Sequence, residues 1–125
     1  MAGKRIPFAV WKVGDEEYKL KLTTTSIVRL EDELKVNLIS VLNMGIPPLG
    51  VMLKIAHEAI KKYHHGIKYK DVEDMFDTYL DEGGSQTEFL TDVIMKVYQA
   101  SGFFTEGMEE TMEEKIEEVK EDMNT

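Results

Sequence analysis

Across the three threonines Thr23, Thr24 and Thr25 the hydrophobic period of this chain changes from two to about three and a half. Before them, Tyr18, Leu20 and Leu22 alternate with Lys19, Lys21 and Thr23, the mark of a strand with one buried face. Residues 6–13 (IPFAVWKV) and 17–22 (EYKLKL) read as two strands joined by a turn at Gly14, Asp15 and Glu16. A lone hairpin is marginal in water, so this one must pack on helices or pair with another edge. After the threonines, Ile27, Leu30, Glu31 and Leu34 follow helical spacing, and Thr24, Thr25 or Ser26 can cap a first helix over 25–36.

Four principal helices are expected. A short apolar segment, Leu38 to Leu42, follows the first and stops at Gly45. Pro47 and Pro48 open the second, where a missing amide donor costs nothing, and it runs to about Tyr63. Its stripe of Leu49, Met52, Leu53, Ala56, Ile60 and Tyr63 is widened by Val51, Ile55 and Ala59. So wide an apolar face predicts either the central helix of the domain or a helix that also meets a partner. The third, over 70–82, turns Val72, Met75, Phe76, Tyr79 and Leu80 one way and its acids elsewhere, and ends at Gly83-Gly84. The fourth starts with the capping box Ser85-Gln86-Thr87-Glu88, buries Phe89, Leu90, Val93, Ile94, Val97 and Tyr98, and closes at Gly102. The fold class is therefore α+β, mostly α. One globular domain over 1–104 comprises a β-hairpin (6–22) and a helical body (25–104), followed by an acidic amphipathic tail at 105–125.

In that tail Met112, Ile116, Val119 and Met123 recur at spacings of four, three and four, so a helix there has an apolar seam. Six like-charge i,i+4 pairs, from Glu109/Glu113 to Glu118/Asp122, oppose it. At roughly 0.2–0.5 kcal/mol each they cost about 1–3 kcal/mol, enough to melt an isolated helix this short. The segment is expected to fray alone and to become helical when something covers the seam. The plainer alternative is a solvated tail that aids solubility.

Charge sharpens this division. The net charge is −9, of which −7 lies in residues 105–125. The rest is nearly balanced, and no helix has a basic stripe, which argues against binding DNA or RNA. In 125 residues with 42% hydrophobic side chains there is enough to build a core without staples. Cysteine is absent, which excludes disulfides, thiolate metal sites and a cysteine nucleophile and fits a reducing compartment. The start MAGKRIPFAV has no apolar stretch of the kind a signal peptide needs, and charged residues interrupt every later apolar run. A cytoplasmic protein with no membrane association is expected.

Candidate chemistry is sparse. His57-Glu58 begins like a zinc-protease helix, but Lys61 stands where the second histidine ligand belongs. His64 and His65 sit at a helix end, where they can bond terminal carbonyls. The acids of the third helix lack the alternate spacing of a calcium loop, and Asp77 and Asp81 have no nucleophile or oxyanion donor in the sequence around them. No GxGxxG, phosphate loop or GxSxG run is present. These readings predict a non-enzymatic protein with no cofactor and no metal. Methionine supplies adaptable apolar surface: Met52, Met75 and Met95 occupy core-like positions, while Met108, Met112 and Met123 lie in the tail. Phe103-Phe104 either cover the end of the fourth helix or form an exposed anchor.

Taken in order, four stretches resemble the tail assembly chaperones of long-tailed bacteriophages, particularly those of Gram-positive hosts and their prophages. They are EEYKLKLTTTSIVRLEDELKVNL (16–38), IPPLGVMLKIAHEAIKKYHHG (46–66), DVEDMFDTYLDEGG (71–84) and YQASGFF (98–104). The likeness is one of order, size and pattern over about 8–104, and the acidic tail lies outside it. What the resemblance implies is a chaperone that binds the tape measure protein and keeps it soluble in the bacterial host cytoplasm. The client is held until tail tube protein assembles around it, and the chaperone is absent from the finished virion. It also implies a longer frameshifted product that recruits tube protein, an ending at Thr125 suiting the shorter one.

Coating a long client favours a homo-oligomer, with the hairpin edge at 6–13 as one lateral contact. Met52, Ile55 and Ala59 of the second helix, Phe103 and Phe104, and the seam residues Met112, Ile116 and Val119 are the candidate contact surfaces. The alternatives are a head–tail connector or tail-completion subunit that stays in the virion, and a small cellular adaptor.

Overall fold

The computed structural model describes residues 5–105, 107–108 and 117–118. Strand β1 (Ala9–Val13) pairs antiparallel with β2 (Glu16–Leu20), with Ala9 opposite Leu20 and Val13 opposite Glu16. The loop is thus only Gly14-Asp15, and Gly14 takes φ 63°, which a two-residue hairpin loop demands of its first position. Five helical segments follow: α1 (Thr24–Leu34), α2 (Leu38–Val41), α3 (Leu49–Ile60), α4 (Tyr69–Asp81) and a last rod. A 3-10 turn at Leu42–Met44 extends α2, and the rod is built from α5 (Gln86–Glu88), a π-helical stretch (Phe89–Ile94) and α6 (Met95–Ala100). The architecture is the expected one, a hairpin followed by helices.

The ends are set by local chemistry. Thr23, one place before the residues expected to cap α1, accepts from the Ser26 amide at 3.1 Å. Glu31 reaches past the end of α1 to accept from the Leu38 amide at 2.9 Å. Ser85 Oγ accepts from the Glu88 amide at 3.1 Å, the N-cap half of the expected capping box, and its hydroxyl donates to the Glu88 carboxylate at 3.2 Å, so that carboxylate bonds the hydroxyl and not the Ser85 amide that a capping box requires.

Helices close the outer edge of β2. The Lys19 amide donates to His64 Nε2 at 3.0 Å, Lys21 to the Ala59 carbonyl at 3.0 Å, and Leu22 to Ser101 Oγ at 2.9 Å. His64 thus bonds the terminal Ile60 carbonyl through its backbone amide at 2.9 Å, while its ring Nε2 is the acceptor for a strand amide. At the far end of β1 the Gly14 amide donates to Glu82 Oε1 at 2.7 Å, fastening the hairpin turn to the end of α4.

The core lies between the inner hairpin face and the helices. Trp11 sits 4.9 Å from Phe89 and 5.9 Å from Tyr79, centroid to centroid, and Phe76 packs 5.1 Å from Phe89. Two helices share the centre. In α3, seven residues from Met52 to Ile60 are buried, and in 89–100 only Asp92 is exposed. Tyr98 is fully buried and donates its hydroxyl to the Leu38 carbonyl at 2.7 Å.

Candidate functional site

The second helix does not offer the contact surface its sequence suggested. Met52, Ile55 and Ala59 are each 0% exposed, because α1, β2, α4 and the π-helical stretch surround α3. Its wide apolar face belongs to the core, the first of the two readings such a face allows. Phe104 is also buried, its ring stacked 6.3 Å from Tyr98, and its carbonyl accepts from Arg5 at 3.2 Å. Phe103 is half-buried, 4.6 Å from the same tyrosine. The pair covers the end of the last helix and is no free anchor. An aspartate at Phe104 would unfold this end before it tested any contact. Met112, Ile116 and Val119 lie outside the described residues.

The exposed apolar surface is on the hairpin. On β1 the residues between the buried Ala9, Trp11 and Val13 point outward, so Phe8, Val10 and Lys12 share a face with Lys19 and Glu17 of β2. Phe8 meets Tyr63 edge-on at 5.7 Å, Lys19 Nζ lies 4.9 Å over the Phe8 ring, and Lys62 Nζ lies 5.7 Å over the Tyr63 ring. A row of Lys19, Phe8, Tyr63 and Lys62 results, with Val10 (44% exposed) opposite Lys19 in the ladder. Sequence reasoning treated 6–13 as an edge and Tyr63 as part of the α3 stripe. The period-two pattern did mark Phe8 and Val10 as one face, but nothing local could place Tyr63 beside them.

Two polar clefts are also present. One, of about 350 Å3, is lined by Lys12, Gly14, Tyr79, Glu82 and Gly84. There Tyr79 is pushed up to about 12, first by burial and then by Glu88 and Asp92. The other, of about 340 Å3, is lined by Glu33, Lys54, His57, Glu58 and Tyr69. Glu58 is buried and accepts from Arg29 and Lys61, both at 2.9 Å. Lys54 pairs with Glu33 at 3.2 Å, and His57 Nε2 donates to the Ile67 carbonyl at 3.0 Å. Glu33, Lys54, His57 and Glu58 are each engaged by a neighbour in the fold, which suits a structural network. Among the described residues no group of three His, Cys, Asp or Glu is arranged to hold a metal ion, and no helix is long and apolar enough to cross a membrane.

Residues 5–123 match a family described as "Family of unknown function (DUF6096)", and the chain belongs to that family. No curated protein and no solved structure matches it.

Proposed function

We propose that this member of the family works by stoichiometric binding, as a tail assembly chaperone of a long-tailed phage or prophage. In this reading it holds the tape measure protein soluble in the host cytoplasm until tail tube protein assembles around that client, and copies associate along it. The ordered resemblance over 8–104 motivates the proposal. The observation that carries its physical side is the outer hairpin face, where Phe8, Val10 and Tyr63 form an apolar strip framed by Lys19 and Lys62. Such a strip suits the apolar side of an amphipathic client helix, with the lysines reading its acidic flanks.

The test is co-expression with the long tape-measure candidate from the same locus, measuring how much client stays soluble. The client should be soluble only with this protein and should co-elute with many copies of it. Val10→Asp with Tyr63→Asp, both at exposed positions, should leave the fold intact and abolish co-elution. A client equally soluble alone, or this protein recovered in purified virions as a stoichiometric component, overturns the reading in favour of a virion subunit.

A further inference from the structure

The two edges of the hairpin are finished differently. In an antiparallel ladder alternate residues exchange both backbone bonds with the opposite strand, and those between them turn N–H and C=O away from it. On β2 the Lys19 and Lys21 amides face away, and both are taken up, by His64 Nε2 and by the Ala59 carbonyl. Val10 stands opposite Lys19 and Lys12 opposite Glu17. On β1 it is therefore Val10 and Lys12, with Phe8 in the same phase, that turn their backbone groups outward. The Val10 and Lys12 amides find no acceptor among the described residues, and both residues are exposed. Natural sheets blunt an open edge with a bulge, a proline, a charge or a covering segment. This ladder runs without a bulge from Ala9 to Val13, and Pro7 lies before it. Lys12 is the one charge on the strand.

We propose that this edge pairs with the same edge of a second copy, antiparallel about a twofold axis at Val10, so that two two-stranded sheets become one of four strands. The outward phase restricts the bonded pairs to Phe8, Val10 and Lys12 of the two copies, and side chains choose among the registers. An axis at Lys12 sets two like charges face to face. An axis at Trp11 sets two indoles opposite each other on the inner face, where each is already packed among Tyr79 and Phe89. An axis at Ala9 carries Lys12 past the end of the strand, to Ile6. The axis at Val10 sets valine against valine, Lys12 against the Phe8 ring of the second copy, and the small Ala9 opposite the large Trp11 of the second copy. The occupant is thus specified by the edge itself, since each outward residue meets a complement that the same strand supplies. Opposite residues point to the same face of a sheet, so pairing joins the apolar strips of two copies and leaves them open to a client. It supplies the contact by which copies associate in the reading above. Self-association is measured without a client, so either can fail alone.

The experiment is sedimentation equilibrium of the full chain at about 0.15 M salt, where screening acts within about 8 Å and damps the repulsion between two chains of charge −9. A contact this small is weak, so loading runs from about 10 µM to about 1 mM. A monomer–dimer equilibrium is expected. Across it the Val10 and Lys12 amides should gain at least about tenfold protection from exchange, while the Trp11 amide, already paired with β2, does not change. Val10→Pro removes an amide that makes no bond within the ladder, so it should keep the fold, read by circular dichroism, and abolish the dimer. Tyr63→Asp, off the edge, should leave the dimer unchanged. Oxidation reads the register, since the chain has no cysteine of its own. Val10→Cys should join two copies by a disulfide, because directly opposite residues stand about 5.5 Å apart at Cα, and Lys12→Cys should not. A chain monomeric throughout the range, a dimer indifferent to Val10→Pro, or joining at Lys12→Cys in place of Val10→Cys overturns the proposal. A monomer whose two amides become protected only when the tape-measure candidate is added overturns it in favour of a strand of the client.

Discussion

Tyr98 does at one residue what most of the core does collectively: it buries a large ring and ties two distant segments together. Its hydroxyl bond to the Leu38 carbonyl spans sixty residues of sequence. Tyr98→Phe should cost about 1–1.5 kcal/mol in urea unfolding, the net worth of such a bond. Burial also raises this phenol above its ordinary 10.0. Stability from the neutral ring is therefore complete below pH 10 and is lost as the pH rises above it, since the unfolded chain releases that proton first. Tyr79, raised to about 12, adds to the same alkaline loss. Urea midpoints between pH 9 and 11 should fall more gently in Tyr98→Phe than in the parent. Gln99 gives the opposite prediction. It is 4% exposed, and its Nε2 has no hydrogen-bond partner among the described residues. Gln99→Met keeps the volume and removes the unmet donor, so it should stabilise by about 1 kcal/mol, measured as a raised urea midpoint at unchanged slope.

At the scale of elements, local signals located the structure well. The strands, the four principal helices and the Ser85 N-cap were legible because each is specified within a few neighbouring residues. Ser85→Ala should cost about 1 kcal/mol of thermal or urea stability, since it frees the Glu88 amide just before the buried Phe89. Gly84→Ala should cost about 1–3 kcal/mol, because a Cβ there would stand 2.5 Å from the Tyr79 ring, itself held by Trp11, Phe76 and Phe89. The π-helical winding of Phe89–Ile94 was not legible. Its residues carry ordinary helical spacing, and the wider turn arises where Phe89, Val93 and Ile94 are all buried within one short stretch of the core. The exchange of partners at His64 was hidden for a similar reason, since its acceptor role depends on a strand forty-five residues earlier.

For the whole molecule, one buried cluster joins the hairpin to every long helix. Trp11, the single tryptophan, sits where β1, α4 and the π-helical stretch meet. Its fluorescence and the far-ultraviolet circular dichroism should therefore report one coincident urea transition. Separate transitions would mean that the hairpin unfolds apart from the helical body. The molecule is also electrically divided, with −7 of its −9 charge in 105–125 and uncompensated lysines on the hairpin. That division is a property of no single element.

The sequence by itself determined the hairpin, the order and approximate ends of the helices, and the separation of an acidic segment from a nearly neutral body. These follow from periodicity, capping and composition, which act over a few residues. Only the tertiary structure decided which apolar faces are core and which are surface. Met52, Ile55 and Ala59 of α3 and the strip of Phe8, Val10 and Tyr63 are alike apolar in sequence, yet the first three are fully buried while the strip is left partly open to solvent. Burial is set by how many elements converge on a face, and that number is fixed only when segments far apart in the chain pack together.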